Sequence, residues 1–302
     1  MITGASGFIG SHLARLALQA GAEVAALALP DDPLTRLLEL ADRLTVLRAD
    51  LSDEDALRTM IADLRADACV HLAWYAEPGK YLESPRNVPD LLNSLRLLGA
   101  LIETGCPQVV MVGTCAEYDL RAGYVREDSA VRPETIYAAC KLALGLVGAQ
   151  MARASGVSFT WARLFYLYGP SEDERRLVPA LIRSLLRGES FQATSGEQVR
   201  DYLHVEDVAQ ALWLLAERRR AEVFNVCSGE PVTIRQLLET VADLVGGREL
   251  VRFGEVPYRP WDPMFVCGDN RKLRGEGWSA GYTLRQGLEQ TVDWWRWRLQ
   301  AS

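Results

Sequence analysis

The sequence lacks the long apolar stretches that would place it in a membrane. No run of about 18 uncharged apolar residues occurs, and a membrane-spanning helix needs roughly that length. The first residues have neither the basic lead nor the apolar core of a secretory signal peptide. Internal repeats are also absent. These absences predict a cytoplasmic protein without a membrane partner.

Cysteine and histidine are too scattered to form a metal site. The chain has six cysteines and three histidines, and no two cysteines form a Cys-x-x-Cys pair. Four of the cysteines lie inside apolar or helical runs, where reduced thiols are expected. The sequence therefore predicts reduced thiols and no structural metal. The six are Cys69, Cys106, Cys115, Cys140, Cys227 and Cys267.

A strongly basic surface is missing as well. Acidic residues outnumber basic ones by 40 to 33, for a net charge of −7. Nucleic-acid binding needs clustered cations that displace counterions from phosphates, so general nucleic-acid binding is not expected. A small anionic ligand held by a few arginines remains compatible with this charge.

The first half of the chain alternates short apolar runs with helical patterns. Strands are predicted at 24–29, 44–47, 68–72, 109–113 and 159–163, and helices at 11–20, 53–64, 85–104 and 135–155. Continuous apolar strands separated by helices indicate a parallel sheet covered on both faces. We therefore expect an α/β fold with a Rossmann-type doubly wound sheet. The second half is less regular, with helices at 177–187, at 204–217 and from 233, and a strand at 223–227.

A glycine-rich segment opens the chain. Gly4, Gly7 and Gly10 have GxxGxxG spacing before a helical pattern. Glycines there permit a tight turn and let backbone N–H groups approach a pyrophosphate at a helix N-terminus. The position at the head of alternating strands and helices favours dinucleotide binding. Only three residues precede Gly4, so either the first strand is very short or the natural chain begins upstream.

A tyrosine and a lysine are spaced to meet on one helix. Tyr137 and Lys141 are four residues apart and so lie on one helical face. A phenol with a pKa near ~10 is a poor proton carrier at neutral pH unless a cation favours its ionised form. Taken alone, the pair is better explained as a chance spacing on a solvated helix.

Seven segments in order resemble the extended short-chain dehydrogenase/reductases, the sugar-nucleotide epimerases, dehydratases and ketoreductases. The resemblance covers essentially the whole chain. Its segments are the glycine loop, Val-His-Leu-Ala at 70–73, Gly-Thr-Cys-Ala-Glu-Tyr at 113–118, the Tyr137/Lys141 pair, Arg-Leu-Phe-Tyr-Leu-Tyr-Gly-Pro at 163–170, Arg-Asp-Tyr-Leu-His-Val-Glu-Asp-Val at 200–208 and Phe-Asn-Val-Cys-Ser-Gly-Glu-Pro at 224–231.

The resemblance implies a domain division and a catalytic set. Residues 1–165, with 200–227 returning to them, would form the dinucleotide-binding domain; 166–199 and 228–302 would form a smaller C-terminal α/β domain for the nucleotide sugar. Thr114 would bond the reacting sugar oxygen, and Tyr137 would be the general acid–base. Lys141 would hold the nicotinamide ribose and lower the Tyr137 pKa.

The cofactor implied by the resemblance is NAD or NADP. The second strand ends near Leu29 without an acid or a base; Asp31 and Asp32 follow, and Arg36 is placed to reach a phosphate, so the choice stays open. Core packing explains Trp74 as well as cofactor contact does. The expected cofactor-binding residues are Gly4, Ser6, Gly7, Phe8, Ile9, Gly10, Arg36, Asp50, Leu51, Leu72, Ala73, Trp74, Tyr137 and Lys141.

The expected partner is a nucleotide-diphosphate sugar. Arg200 and Arg259 match two arginines that clamp the diphosphate, for which a planar guanidinium is suited. Tyr166 replaces an asparagine of many members, which puts the phosphate geometry in doubt. A second asparagine of the family has no clear equivalent, since Asn87 and Asn93 each lie about a turn from its place. The expected substrate-binding residues are Thr114, Cys115, Tyr166, Arg200 and Arg259.

Residues beside Thr114 narrow the reaction. Dehydratases of the family carry Asp-Glu directly after the catalytic threonine, where this chain has Cys115-Ala116; Glu117 has no role assigned by the resemblance. What remains is a 4-ketoreductase acting on an NDP-4-keto-6-deoxyhexose, or a 4-epimerase with tightly bound NAD. Bulky Trp74, Tyr75 and Tyr166 favour the reductase. A cofactor-sensing regulator is the alternative of another class.

The resemblance also implies a homodimer. In the family, helices corresponding to 85–104 and 135–155 pair with their copies as a four-helix bundle. Burial inside the monomer explains several of the candidate contact residues equally well. These are Leu91, Leu95, Leu98, Leu142 and Leu146.

Overall fold

A seven-stranded parallel sheet is the centre of the molecule. The computed structural model describes residues 1–259 and 262–300. In chain order the sheet contains β1 (Ile2–Thr3), β2 (Val24–Ala28), β3 (Leu44–Arg48), β4 (Cys69–His71), β5 (Gln108–Thr114), β7 (Ser158–Leu164) and β11 (Val223–Val226). Their spatial order is β11-β7-β5-β4-β1-β2-β3. The predicted doubly wound α/β fold is confirmed.

Helices cover both faces of this sheet. On one face α1 (Phe8–Gln19) packs beside α6 (Val205–Arg218). On the other lie α2 (Glu54–Leu64), α3 (Asn87–Glu103) and α4 (Ile136–Ser155). Residues of β2 and β5 are buried throughout, as expected for parallel strands that face helices on both sides.

The ends of α4 follow from local chemistry. Thr135 caps its N-terminus, since its hydroxyl accepts a hydrogen bond from the Ala138 N–H. Gly156 ends it with φ of +72°, a left-handed conformation that glycine adopts without strain. The bounded helix places Tyr137 in its first turn and Lys141 one turn later.

The C-terminal elements form a smaller α/β layer with an apolar core of its own, separate from the packing on the two faces of the central sheet. Strands β8 (Tyr166–Tyr168), β10 (Val199–His204) and β12 (Pro231–Thr233) form one sheet. Two short pairs join β9 (Phe191–Ala193) with β13 (Val251–Phe253) and β6 (Tyr124–Val125) with β14 (Cys267–Gly268). Helices α5 (Leu177–Leu186), α7 (Ile234–Val245) and α9 (Leu284–Gln300) enclose the core, and α8 (Arg271–Gly275) contacts β11.

The strand order fixes where a ligand can bind. The chain runs from β1 outward to β3, then crosses to β4 on the other side of β1. Ligands of open α/β sheets bind outside the carboxyl ends of the strands at such a switch point. Here those ends carry the glycine loop after β1 and the segment from Leu72 after β4. The first strand, β1, is two residues long.

Several predicted features can be compared directly with the described residues. All six cysteines are buried and free. No helix within 1–259 or 262–300 is long and apolar enough to cross a membrane, and no metal-like group of His, Cys, Asp or Glu occurs in that part of the chain.

Candidate active site

A cavity of about 1040 Å³ lies at the carboxyl ends of the central strands. It extends from the glycine loop, past the end of β5 and the first turns of α4, to the C-terminal elements. It brings together most of the predicted site residues. Those lining it are Gly4, Gly7, Phe8, Ile9, Gly10, Arg36, Leu72, Trp74, Thr114, Cys115, Tyr137, Lys141, Tyr166 and Arg259.

The glycine loop is packed too closely to hold side chains. Gly4 has φ of +66°, and a Cβ there would lie 2.7 Å from the Ala73 backbone N. A Cβ on Gly10 would lie 2.1 Å from the Gly4 carbonyl oxygen. Gly7 caps α1 without a side-chain hydrogen bond, and the first turn of that helix has no acidic residue. Its N–H groups and positive dipole end therefore suit a pyrophosphate.

The loop after β2 is tied to the glycine loop. The Ser6 hydroxyl donates to the Asp32 carboxylate at 2.5 Å, and the same carboxylate accepts from the Leu34 N–H at 2.8 Å. Arg36 donates to the Ser6 carbonyl at 3.4 Å and, from Nε, to the Ser171 carbonyl at 3.0 Å. Asp32 is thus engaged within the protein, while the Arg36 side chain lines the cavity.

The predicted catalytic residues lie on one wall of the cavity. Thr114 ends β5 and is 9% exposed. Tyr137 packs edge-on against Tyr81, with 4.8 Å between ring centroids, and against Trp74, with 6.4 Å. Lys141 is buried and donates to the Val112 carbonyl at 3.0 Å.

The electrostatics of this wall are dominated by burial. Burial lowers the pKa of Lys141 to about 7, an effect that the negative charges of Glu117 and Asp90 oppose. Burial raises the pKa of the Tyr137 phenol, and a hydrogen bond with Thr114 works against that rise. The pKa of Tyr137 is therefore raised in this structure, opposite to the lowering expected from Lys141.

Trp74 is held in place by a buried asparagine. Its indole N–H donates to the Asn87 Oδ1 at 2.8 Å. The Asn87 amide donates in turn to the carbonyls of Tyr81 and Ser84, at 2.6 and 2.8 Å. Trp74 packs against the core of the α2–α4 face and also lines the cavity, so core packing is observed and cofactor contact stays a prediction.

The far end of the cavity places the two predicted arginines differently. Arg259 is exposed and lines the cavity. Arg200 is 3% exposed, does not line it, and pairs with the Asp262 carboxylate at 2.7 Å. Its guanidinium lies 5.3 Å from the centroid of Tyr166, which does face the cavity. Arg200 therefore lies behind Tyr166 and Asp262.

Four predicted cofactor-binding residues do not line the cavity. Asp50 is exposed, and its carboxylate accepts hydrogen bonds from Ser52. Leu51 packs against the core of the α2–α4 face. Ser6 contacts Asp32 through its hydroxyl and Arg36 through its carbonyl. The Ala73 backbone lies directly behind Gly4.

Three carboxylates near the site were not expected. Glu117 is fully buried, and its negative charge raises the pKa of both Lys141 and Tyr137. The Asp90 carboxylate accepts a hydrogen bond from the Tyr75 N–H at 2.9 Å, and its charge raises the pKa of Lys141. Glu172 lines the cavity, and burial raises its pKa to about 8. A carboxylate in an apolar segment was the available signal for Glu117; the other two lie in ordinary polar segments.

The chain is similar to known proteins along its length. Residues 1–227 match the family model described as NAD dependent epimerase/dehydratase family. CDP-abequose synthase of Salmonella typhimurium is 25% identical over 306 residues, covering 97% of this chain and 96% of that protein.

Two solved structures are similar in fold. UDP-glucose 4-epimerase of Thermotoga maritima with UDP-glucose has a TM-score of 0.89 and 26% identity, covering 99% of this chain and 98% of that chain. MoeE5 in complex with UDP-glucose and NAD has a TM-score of 0.84 and 31% identity, with the same two coverages.

Proposed function

Since the chain belongs to the NAD dependent epimerase/dehydratase family, we propose that it transfers a hydride between a nicotinamide cofactor and one carbon of a nucleotide-diphosphate sugar. Within that class we propose a 4-ketoreductase acting on an NDP-4-keto-6-deoxyhexose. The observation that carries the hydride-transfer proposal is that one continuous cavity joins the glycine loop to Thr114, Tyr137 and Lys141.

The residues around the glycine loop fit a dinucleotide. Gly4 and Gly10 lie so close to neighbouring backbone that a Cβ would not fit at either position. The N-terminus of α1 has no side-chain cap, and its N–H groups suit a pyrophosphate. Arg36 and Leu72 would line the remainder of the cofactor site. When bound, the nicotinamide supplies or accepts the hydride.

The chain's own residues would manage the proton and the sugar. Tyr137 would deliver a proton to the carbonyl oxygen that is reduced, and Thr114 would hold that oxygen by a hydrogen bond. Lys141 would bind the ribose and, as a cation, favour the ionised phenol after proton delivery. Thr114 and Tyr137 both line the cavity, and the Thr114 side chain lowers the pKa of the Tyr137 phenol, which supports their acting on one oxygen.

Crowding of the cavity favours reduction over epimerisation. A 4-epimerase must let the sugar turn between two hydride transfers, whereas a reductase needs one orientation. Trp74, Tyr81 and Tyr166 all line the cavity. Tyr75 does not, since its hydroxyl donates to Glu77 at 2.9 Å and Arg86 lies over its ring. Two of the three aromatic residues first considered therefore support this choice, and Tyr81 is added to them.

The remaining aspects of the proposal concern the substrate and assembly. We propose that Arg259, Tyr166 and Cys115 contact the nucleotide sugar, because all three line the cavity beyond Thr114. Arg200 would act on the diphosphate only if it left Asp262. We also propose the domain division at 165/166, with 200–227 returning to the first domain, and a homodimer.

Stoichiometry tests the reaction. The purified protein is mixed with NADH or NADPH and an NDP-4-keto-6-deoxyhexose made by a separate 4,6-dehydratase. We expect one reduced cofactor consumed per sugar reduced. Interconversion of two 4-epimers by enzyme carrying its own cofactor, with no net change in reduced-nicotinamide absorbance, would replace the reductase by the epimerase. Cofactor binding without turnover of any sugar would favour the cofactor-sensing regulator.

A further inference from the structure

A carboxylate lies fully buried immediately behind the catalytic wall. Glu117 has no exposed surface. One of its oxygens accepts a hydrogen bond from the Thr114 N–H at 2.8 Å, and the other accepts from Arg163 Nε at 2.7 Å and from the Trp161 indole N–H at 3.0 Å. Thr114 in turn caps the short 3-10 helix that contains Glu117.

The surrounding chain makes room for this carboxylate. A Cβ on Gly113 would lie 2.3 Å from the Glu117 Oε1 and 2.4 Å from the Trp161 Nε1. A Cβ on Gly145 would lie 2.7 Å from the Trp161 ring. Gly145 is one turn beyond Lys141 on α4, so the indole that binds Glu117 also fits beneath the catalytic helix.

The ion pair is expensive for a purely structural element. Glu117 and Arg163 have side chains that are 0% and 7% exposed. Removing two charges from water costs several kcal/mol per ion, and well-packed apolar residues often replace such a pair without loss of stability. Stability alone is therefore a weak reason for keeping this ion pair.

Glu117 and Lys141 are attached to the same short piece of backbone. Lys141 donates to the Val112 carbonyl and Glu117 accepts from the Thr114 N–H, two positions about 7 Å apart along β5. Asp90 from α3 and His71 from β4 also interact electrostatically with Lys141, and Tyr137 lies one turn before it on α4. His71 is neutral, because burial lowers its pKa to about 3. Glu117 and Asp90 are thus the negative charges acting on the ammonium.

We propose that Glu117, paired with Arg163, is a positioning residue that fixes the Thr114 backbone and provides counter-charge for Lys141. This role rests on the proposed function, in which Thr114 and Lys141 act on sugar and cofactor. Lys141 loses its charge as the pH rises through about 7. Without Glu117 the ammonium would lose that charge at a lower pH.

Three variants separate two properties of Glu117: the hydrogen bond that it accepts from the Thr114 N–H, called the anchor below, and its negative charge. Glu117→Gln keeps an oxygen that can accept from the Thr114 N–H but leaves the buried Arg163 cation without its carboxylate. Because an unpaired buried charge is strongly destabilising, this variant is expected to fold poorly. The double variant E117Q/R163L removes both charges and keeps the anchor, whereas E117L/R163L removes both charges and the anchor. Glu276→Gln, at the ion pair of Glu276 with Arg220, is the control remote from the cavity.

The first measurement needs no turnover. The dissociation constant of the reduced cofactor is measured from pH 5.5 to 9 by nicotinamide fluorescence. In E117Q/R163L we expect the pH at which affinity declines to move down by about one unit, with wild-type behaviour in Glu276→Gln. An unchanged pH profile in a folded E117Q/R163L protein would overturn the counter-charge role.

The second measurement concerns the anchor. In E117L/R163L we expect kcat to fall at least tenfold below that of E117Q/R163L, with KM for the sugar changed less than twofold. Equal kcat values for the two double variants would overturn the positioning of Thr114. A wild-type protein that binds cofactor but reduces no sugar would instead refute the proposed function, while the cofactor-binding profile would still decide the role of Glu117.

Discussion

The ammonium of Lys141 lies over the ring of Trp74, 3.8 Å from its centroid. A cation on an indole face is stabilised electrostatically, and Asn87 fixes the indole by accepting a hydrogen bond from its N–H. The contact holds Lys141 on the wall that carries Tyr137, whose ring also packs against Trp74. Trp74 therefore orders the two residues to which we assign the proton and the ribose.

Removing the Tyr137 hydroxyl tests the acid–base assignment. Tyr137→Phe keeps the ring packed between Tyr81 and Trp74 but removes the proton carrier. We expect kcat to fall by roughly two to four orders of magnitude, with the cofactor dissociation constant little changed. Tyr124→Phe, at a half-exposed tyrosine outside the cavity, should behave as wild type. Near-normal turnover in a folded Tyr137→Phe protein would exclude the assignment.

Gly10 tests the cofactor cradle. In Gly10→Ala the added Cβ would meet the Gly4 carbonyl oxygen and the Ala5 Cα at 2.1 and 2.7 Å, so the loop must shift and cofactor affinity should fall at least tenfold. Gly99→Ala is a matched control, because a Cβ at Gly99 on α3 meets nothing within 4 Å. That control should bind normally and be more stable by about 0.5–1 kcal/mol. Binding by calorimetry and urea unfolding measure both effects, and unimpaired binding by Gly10→Ala would contradict the cradle.

Arg36 tests the choice between NAD and NADP. Asp32 is bonded to Ser6 and Leu34, which leaves Arg36 as the charged side chain of this loop that lines the cavity. We expect Arg36→Ala to weaken NADPH binding about tenfold more than NADH binding, because one phosphate contact is lost. Arg15→Ala, whose guanidinium pairs with Glu39 on the surface, is the control. Equal losses for both cofactors would remove Arg36 as the phosphate contact.

The outer faces of α3 and α4 test the homodimer. These adjacent helices expose Val88, Leu92, Leu146 and Val147 by 48, 49, 61 and 45%. Of the residues first expected at the seam, Leu98 is fully buried in the monomer, while Leu146 is exposed. We expect light scattering to give a dimer mass at micromolar concentration.

A charge in that face should separate the subunits. Leu146→Glu should give a monomer, because the carboxylate would be buried in the interface, whereas Leu38→Glu, at a 65% exposed residue elsewhere, should leave the mass unchanged. A monomeric wild-type protein would rule out the dimer.

The three histidines predict sensitivity to mild acid. Burial lowers the pKa of His71 to about 3 and of His204 to about 4, and it lowers that of His12 as well. An unfolded histidine takes up a proton below about pH 6.5, so the unfolded chain binds more protons than the folded one as the pH falls from there. The free energy of unfolding should therefore decrease by about 1.4 kcal/mol for each of His71 and His204 between pH 7.5 and 5.5.

Urea unfolding at the two pH values measures this loss. Neither ring nitrogen of His204 has a hydrogen-bond partner among the described residues, and the ring packs against Tyr168 and Tyr282. His204→Phe should therefore keep the packing and lose less stability on acidification than wild type. Identical pH dependence of the two proteins would contradict the role of His204.

The sequence by itself determined the fold class and the order of the strands and helices of the central sheet, and most of the site residues that it predicted meet in the cavity. Apolar runs and the glycine spacing are local patterns, and they place Gly4 and Gly7 between β1 and α1, and Gly10 in the first turn of α1, without knowledge of distant contacts. The spacing of Tyr137 and Lys141 likewise depends only on helical periodicity. Most helix bounds differ by at most two residues from the prediction, and the start of α1 differs by three, because end residues depend on capping.

Tertiary structure alone decided which charged side chains reach the cavity. Glu117 and Arg163 are 46 residues apart and Arg200 and Asp262 are 62 apart, so no local pattern reveals these pairs. Asp50 instead accepts from Ser52, two residues away; that contact is local, but only the tertiary structure shows that Asp50 does not line the cavity. Burial then set the pKa values of the site, since desolvation depends on everything packed around a group and not on its neighbours in sequence.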